Sequence, residues 1–232
     1  MHALPRNLRA AALLALTLLP AWLPVHAADL NVTVTTPDGK PAPDVVVALL
    51  PTGGAAVPLA PAPEPVLIVQ REIRFEPYVT AVPLGSTVRF VNRDRFDHHV
   101  RSVAGGPLGS IAPAKSFEFR LAAARGGRET SADVVIDAPG ATGIGCHLHG
   151  SMRGHLYASP TPWVAVTDAT GRATLRGVPD GAANLRLWHP DQLVAQADVP
   201  AQVSGSAGAQ ARLNFSPRPR PPPRPSLKGE YE

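Results

Sequence analysis

The chain has 232 residues, of which 44% are hydrophobic, and its formal net charge is +4. Arginines near the two ends supply much of that charge, so the middle of the chain is close to neutral, and aromatic residues make up only 5%. This composition does not favour nucleic-acid binding, which typically needs basic residues gathered on one face. The 27 prolines, the 20 glycines and the single cysteine are more informative.

Residues 1–27 have the pattern of a secretory signal peptide. Arg6 and Arg9 precede an apolar run from Ala10 to Leu19, and Val25-His26-Ala27 provides small residues before a predicted cut near Ala27. The apolar run is too short to span a bilayer. We therefore expect a periplasmic or secreted protein without stable membrane insertion.

Short strands separated by turns are predicted for most of the remaining chain. Asp29 to Thr36 alternates apolar and polar residues, and Pro37-Asp38-Gly39-Lys40 follows as a turn. Pro51 to Pro65 is typical of a linker or long loop. The other predicted strands are Val45 to Leu50, Val66 to Phe75, Tyr78 to Val82, Thr87 to Val91, Phe117 to Leu121, Val134 to Asp137, Leu156 to Ser159, Trp163 to Val166, Ala173 to Arg176 and Asn184 to Trp188.

No segment shows a helical period over three turns, although Leu121 to Ala132 has room for a short helix or a loop. The predicted fold class is therefore all-β. Residues 216–232 are rich in proline and arginine and cannot build a core. We expect this tail to be extended or disordered.

Cys146 is the only cysteine of the chain. Exported proteins normally use cysteines in pairs as disulfides, so a lone thiol in an oxidising compartment suggests that a metal or a reaction occupies it. Cys146, His149 and Met152 lie at C-x2-H-x2-M spacing, which allows one short loop to wrap a single ion.

Copper suits these residue types. A thiolate and two imidazoles in a near-trigonal arrangement accommodate both Cu(I) and Cu(II), and a weak axial thioether tunes the reduction potential. The loop supplies three of the four groups, so the second imidazole must come from elsewhere. The stretch from Phe90 to Val100 provides it, because a predicted strand leads into a polar turn and a histidine, His98 or His99, then opens the next predicted strand. The sequence thus predicts a site for one copper ion.

The region from Val66 to Ser159 resembles the cupredoxins, and among them amicyanin and plastocyanin. The resemblance rests on the approach to the first ligand and on the ligand loop, namely Phe75-x-Pro77, Val82-x-x-Gly85-Ser86-Thr87-Val88-x-Phe90-x-Asn92 and Cys146-x-x-His149-x-x-Met152-Arg153-Gly154. It implies a Greek-key β-sandwich and a type 1 copper centre that transfers one electron at a time. Alignment with the family implies that His98, Cys146 and His149 bind copper in plane, with Met152 axial.

The chain departs from the family at three positions. Gly145 stands where an aromatic residue usually precedes the cysteine, and Leu148 stands where proline is usual. His99 replaces an asparagine that ties the two ligand loops together in the family. These departures bear on the spectroscopic class and the potential. His99, His147 and His155 flank the ligands, and a second metal on them is left open.

Other chemistries fit the residues less well. His149 is a candidate base for a cysteine nucleophile, but Met152 and the second histidine-bearing strand would then have no role. Zinc sites usually use cysteines in pairs and have no use for a thioether. A dinuclear copper centre for electron transfer needs a second cysteine, and multicopper enzymes need more His-x-His pairs. No enzymatic activity is therefore expected.

Two further segments, Leu30 to Leu50 and Trp163 to Trp188, resemble the halves of a carboxypeptidase-regulatory or transthyretin-like β-sandwich. Those halves are normally contiguous, so we expect a split module at residues 28–65 and 160–215 with the cupredoxin at 66–159 inserted into it. An N-terminal extension followed by a separate C-terminal sandwich is the alternative.

The expected function is that of a periplasmic blue copper protein that carries electrons between redox partners, such as a c-type cytochrome or a dehydrogenase. A copper carrier or sensor, or an interaction module stabilised by copper, is the alternative. The oligomeric state is not predicted.

Overall fold

The computed structural model describes residues 27–53, 57, 60–205 and 208–219. The predicted signal peptide lies outside the described residues except for Ala27, and so do residues 220–232 of the predicted tail. The described residues include no helix, and hence none long and apolar enough to cross a bilayer.

The described residues form sixteen strands, and the predicted all-β class is confirmed. Their bounds are β1 Ala27–Thr35, β2 Val46–Pro51, β3 Val66–Arg71, β4 Arg74–Glu76, β5 Val79–Pro83, β6 Thr87–Asn92, β7 His98–Val103, β8 Glu118–Leu121, β9 Thr130–Val135, β10 Gly140–Cys146, β11 Arg153–Ser159, β12 Val164–Val166, β13 Arg172–Pro179, β14 Gly181–Trp188, β15 Val199–Val203 and β16 Gly208–Arg212.

The segment predicted as one strand from Val66 to Phe75 is instead a hairpin of β3 and β4. Glu72 and Ile73 form its turn, with φ angles of 51° and 59°. These angles lie in the left-handed region, which a β-branched residue such as isoleucine rarely adopts, so no turn signal is visible in the sequence. The prediction of a continuous strand was wrong for this reason.

The region from Leu121 to Ala132 contains a loop and the start of β9, which begins at Thr130 instead of the predicted Val134. The option of a short helix in this region was therefore wrong. Three other strands, β10, β15 and β16, were not predicted. In β10, glycines at 140, 143 and 145 break the apolar pattern that would normally mark a buried strand.

The central part of the chain contains a five-stranded sheet, ordered β5-β11-β10-β7-β8, and a four-stranded sheet, ordered β4-β3-β6-β9. Most neighbours are antiparallel, but β3 pairs with β6 and β5 with β11 in parallel. Alternate residues of both sheets contribute to one hydrophobic cluster, whose fully buried members include Ile68, Val88, Phe90, Val100 and Ile144. We refer to β3–β11 as the central unit.

The remaining strands form a second pair of sheets, ordered β13-β1-β16 and β12-β2-β14-β15. They enclose a separate hydrophobic cluster that includes Leu30, Leu49, Leu175 and Leu185. Strands β1 and β2 precede the central unit in the chain, whereas β12–β16 follow it. We refer to these strands together as the flanking unit. Its likeness to a particular family, and the exact boundaries between units, stay predictions.

A smaller buried cluster lies between the two units. Val46 of β2, Val79 of β5 and Tyr157 of β11 are its buried members, and Trp188 of β14 packs against them. The rings of Tyr157 and Trp188 lie 5.4 Å apart. The central unit thus contacts the flanking unit through side chains of its own five-stranded sheet.

The order of strands in the five-stranded sheet positions the candidate site. Strand β7 begins at His98, and its antiparallel neighbour β10 ends at Cys146, which pairs with Val100. Strand β11 begins at Arg153, immediately after Met152. All four predicted ligands are therefore carried at one end of this sheet.

Candidate metal centre

Three of the predicted ligands form a compact cluster. One ligand atom from each of His98, Cys146 and His149 lies within 4.8 Å of the others. The sulfur of Cys146 is 3.6 Å from Nδ1 of His98 and 3.4 Å from Nδ1 of His149. Both imidazoles thus present the same nitrogen to the thiol. No second group of three histidine, cysteine or carboxylate side chains is this close anywhere in the described ranges.

Strand alternation distinguishes the two adjacent histidines. His98 is fully buried and joins Cys146, whereas the side chain of His99 is 31% exposed, with Nε2 2.9 Å from Oε1 of Glu118. Successive side chains of a strand point to opposite faces, so only one of the pair can turn inward. The structure places His98, and not His99, beside the thiol.

Backbone hydrogen bonds shape the ligand loop. The amide of Met152 donates to the carbonyl of His149 at 2.9 Å, and the amide of Cys146 donates to the carbonyl of Met152 at 3.3 Å. The amide of His147 donates to the carbonyl of His99 at 2.8 Å, which ties the ligand loop to β7. The backbone of residue 99 therefore connects the two ligand-bearing segments although no asparagine is present there.

Met152 lies on the interior side of the loop. It is 1% exposed and belongs to the same hydrophobic cluster as Cys146. A methionine so buried keeps its thioether out of water, in the same cluster as the thiol.

Glycines allow β7 and β10 to approach each other closely. A Cβ atom at Gly143 would lie only 2.8 Å from the carbonyl oxygen of Val103 and 3.1 Å from that of Ala104. At Gly145 a Cβ atom would lie 3.0 Å from Nη1 of Arg153 and 3.1 Å from a methyl group of Val103. A side chain at position 145 would therefore have to displace the guanidinium group of Arg153 and a methyl group of Val103.

The thiol of Cys146 is easier to ionise than an ordinary cysteine. Burial alone would raise its pKa, but contacts with His98, the backbone amide of His99 and His149 outweigh that effect and lower the pKa from 9.0 to about 6. Thiolate is the form of cysteine that binds metals. The surroundings therefore favour the ligand form at neutral pH.

A carboxylate contacts the other side of His98. Oδ2 of Asp94 lies 2.8 Å from Nε2 of His98, and both side chains are buried. Burial favours the neutral form of each group, but hydrogen bonds outweigh it. Contacts with Asp94 and Cys146 hold the pKa of His98 above its ordinary value. Contacts with His98 and two backbone amides hold the pKa of Asp94 below its ordinary value. With Nε2 engaged by a carboxylate, Nδ1 is the nitrogen left to face the thiol.

Phe96 covers the two imidazoles. Its ring centroid is 5.3 Å from that of His98 and 5.2 Å from that of His149. One aromatic ring thus packs against both candidate ligands. Phe96 lies within the polar turn between β6 and β7, so an otherwise charged segment supplies an apolar wall beside both imidazoles.

The other nearby histidines are placed differently. The rings of His99 and His147 lie 5.6 Å apart on the outside of the cluster. His155 lies near the flanking unit, with Nε2 3.1 Å from the hydroxyl of Tyr78. The structure brings none of these three into the group formed by His98, Cys146 and His149.

Sequence reasoning missed Asp94 and Phe96. The signal available for Phe96 was a large aromatic residue set among charged neighbours in Arg93-Asp94-Arg95-Phe96-Asp97. For Asp94 no sequence pattern distinguishes its buried carboxylate from that of Asp97 three residues later, which is only partly buried.

No protein-family model and no curated protein sequence matches this chain. Among solved structures, it is similar to an oxidised amicyanin variant, with 18% identity and a TM-score of 0.33, over 48% of this chain and 92% of the amicyanin. A reduced amicyanin variant matches with 22% identity and a TM-score of 0.31, over 45% of this chain and 97% of its own. A purple cupredoxin from Nitrosopumilus maritimus matches with 18% identity and a TM-score of 0.33, over 40% of this chain and 99% of its own.

The donor set is consistent with a type 1 copper site. A thiolate and two imidazole nitrogens are the in-plane donors of such sites, and a buried thioether is the usual weak axial donor. Zinc sites seldom include a thioether and usually take their cysteines in pairs. His98, Cys146, His149 and Met152 would hold the ion.

Proposed function

We propose that this protein is a cupredoxin that binds one copper ion and carries single electrons. The observation that carries the proposal is the cluster of His98, Cys146 and His149, with both Nδ1 atoms facing one sulfur. Bound copper would supply a one-electron couple between Cu(I) and Cu(II). Neither state requires a new protein ligand, because the same donors serve both.

Rigid support of the ligands favours electron transfer over copper delivery. His98 and Cys146 lie on adjacent strands, and Asp94 and Phe96 restrain His98 from two sides. A site held in this way changes little between oxidation states, which keeps the reorganisation small. A carrier that hands over its ion would instead need ligands that can leave.

The route for electrons is proposed to pass through His149. This residue is only partly buried, and its neighbour Leu148 is 50% exposed, so a partner can approach the ligand edge without unfolding the loop. The signal-peptide pattern supports a periplasmic location. A c-type cytochrome or a dehydrogenase is the kind of partner that we propose.

Copper titration of the purified mature protein tests the proposal. We expect one equivalent of Cu(II) to produce an intense visible absorption from thiolate-to-copper charge transfer, and a reversible one-electron wave in voltammetry. Cys146→Ser should remove the absorption, because an alkoxide or alcohol cannot replace the thiolate donor. Ser151→Ala in the same loop is the matched control and should keep both signals.

Two results would contradict this function. Absorption that persists in Cys146→Ser would show that the thiolate is not a ligand. Tight binding of Cu(I) without any coloured Cu(II) form or reversible wave would favour the alternative, a copper carrier or sensor.

A further inference from the structure

The side chain of Asp94 is buried and hydrogen bonded on both of its oxygens, although the residue lies in a turn. Its carboxylate accepts three hydrogen bonds, from the amide of Glu72 at 2.6 Å, from the amide of Ile73 at 3.2 Å and from Nε2 of His98 at 2.8 Å. The side chain is 8% exposed. One carboxylate thus joins a candidate metal ligand to the hairpin turn of the opposite sheet.

The turn that Asp94 holds is conformationally unusual. Glu72 and Ile73 both have positive φ angles, and neither is glycine. Such angles are unfavourable for a β-branched side chain and persist where the surroundings compensate. Two amides aimed at the same charged carboxylate provide that compensation, since hydrogen bonds to an ionised acceptor are stronger than neutral ones.

Asp94 is itself fixed in place. Its amide donates to Oδ1 of Asn92 at 2.9 Å, and Nδ2 of Asn92 donates to the carbonyls of Phe96 and Ala122, each at 2.9 Å. Asn92 is fully buried. These bonds fix the position of the carboxylate, and the carboxylate in turn restrains the imidazole of His98.

We propose that Asp94 is a positioning residue of the copper site. Its carboxylate keeps the Nε2 proton of His98, presents Nδ1 to the metal, and makes the imidazole a more basic donor. This inference rests on the proposed function. A negative charge behind a ligand stabilises Cu(II) more than Cu(I), so Asp94 lowers the reduction potential.

Asp94→Asn tests the inference, because an amide of the same size keeps one accepting oxygen but cannot provide the charge or accept hydrogen bonds on both sides, as Asp94 does. We expect the affinity for Cu(II) to fall roughly 10- to 100-fold, as is usual when the partner of a metal-binding histidine is removed. Affinity for Cu(I) should fall less, so the reduction potential should rise. The charge-transfer absorption should remain, because Cys146 is unchanged.

Asp97→Asn is the matched control. Asp97 lies in the same segment, but its carboxylate accepts hydrogen bonds from the amide of Ala123 at 2.8 Å and from the side chain of Arg120 at 2.7 Å, whereas the imidazole of His98 contacts Asp94. This variant removes the same charge without touching the imidazole. An equal rise in potential in both variants would show a general charge effect and overturn the positioning role.

Nitrogen NMR of the wild-type protein keeps the test independent of how well Asp94→Asn folds. In the diamagnetic Cu(I) form, His98 should carry one ring proton, on Nε2, and that proton should be hydrogen bonded. A proton on Nδ1 would overturn the inference. Failure of the wild type to bind copper would contradict the proposed function instead, and the contact of His98 with Asp94 would still be measurable in the copper-free protein.

Discussion

At the scale of single residues, a substitution of Met152 would show how much the thioether contributes to the reduction potential, apart from the other candidate ligands. Its burial in the core of the central unit means that a substitution must also preserve volume. Leucine does so, and exchanges of this kind usually cost less than about 1.5 kcal/mol of stability. The in-plane donors are left intact.

Met152→Leu is therefore expected to keep the charge-transfer absorption and to raise the reduction potential, because loss of a sulfur donor disfavours Cu(II). Voltammetry of the copper-loaded variant measures the change. Leu156→Met, a similar exchange at another buried position of the same cluster, should leave the potential where it is. An unchanged potential in Met152→Leu would contradict the proposal that Met152 is an axial ligand.

The sequence predicted the cluster of candidate ligands better than it predicted the residues around them. The C-x2-H-x2-M spacing is local, so the loop from Cys146 to Met152 was visible in the chain itself. The contacts made by Asp94 are not local, since its carboxylate binds amides 22 and 21 residues earlier in the chain. Pairings of this kind depend on the packing of two sheets, which no short motif records.

At the scale of elements, the spacing of β7 and β10 determines whether His98 and Cys146 can share an ion. Gly143 pairs with Val103, and the carbonyls of Val103 and Ala104 occupy the space that a side chain would need. These are backbone atoms, so the obstruction cannot be relieved by a change of rotamer.

Gly143→Ala should therefore separate the two strands and lower the free energy of unfolding by about 1–3 kcal/mol, the usual cost of overpacking. Urea denaturation of the copper-free protein measures it. Gly150→Ala is the control, because nothing lies within 4 Å of a Cβ atom there, and its effect should stay within about 0.5 kcal/mol. Equal stability of the two variants would contradict the close approach of the strands.

The same glycines explain why β10 could not be predicted from the sequence when other strands could. Strands with alternating or continuous apolar residues, such as β1 and β2, were predicted nearly to their ends. β10 was missed because its glycines, which allow close contact with β7, interrupt the run of large apolar residues that marks a buried strand. The turn at Glu72 and Ile73 was missed because Asp94, and not a glycine, stabilises it.

At the scale of the whole molecule, His155 lies where the central unit contacts the flanking unit. Its ring lies 5.0 Å from that of Tyr78 and 6.2 Å from that of Trp188, which belongs to the flanking unit. Burial, with the nearby His189, lowers the pKa of His155 from 6.5 to about 4. The folded protein thus keeps this imidazole neutral.

The unfolded chain takes up a proton at His155 near pH 6.5, whereas the folded protein does so only near pH 4. Stability from this group is therefore complete above pH 6.5 and is lost as the pH falls towards 4, by at most about 3 kcal/mol. Denaturation of the wild type and of His155→Gln at pH 7 and pH 5 measures this. The wild type should lose more stability than the variant, and equal losses would contradict a buried, neutral His155.

The pairing of β1 with β13 also constrains the order in which the chain can fold. Asn31 and Thr174, whose side chains are hydrogen bonded, are 143 residues apart, and Val45 and Thr167 are 122 residues apart. Closing a flexible loop of that length has an entropic cost, which falls if the intervening residues have already collapsed into a compact body with its ends close together. During synthesis, β1 and β2 are made before β12–β16 and remain without their partners until those strands follow. The strands that carry the candidate ligands are therefore complete before the flanking unit can be.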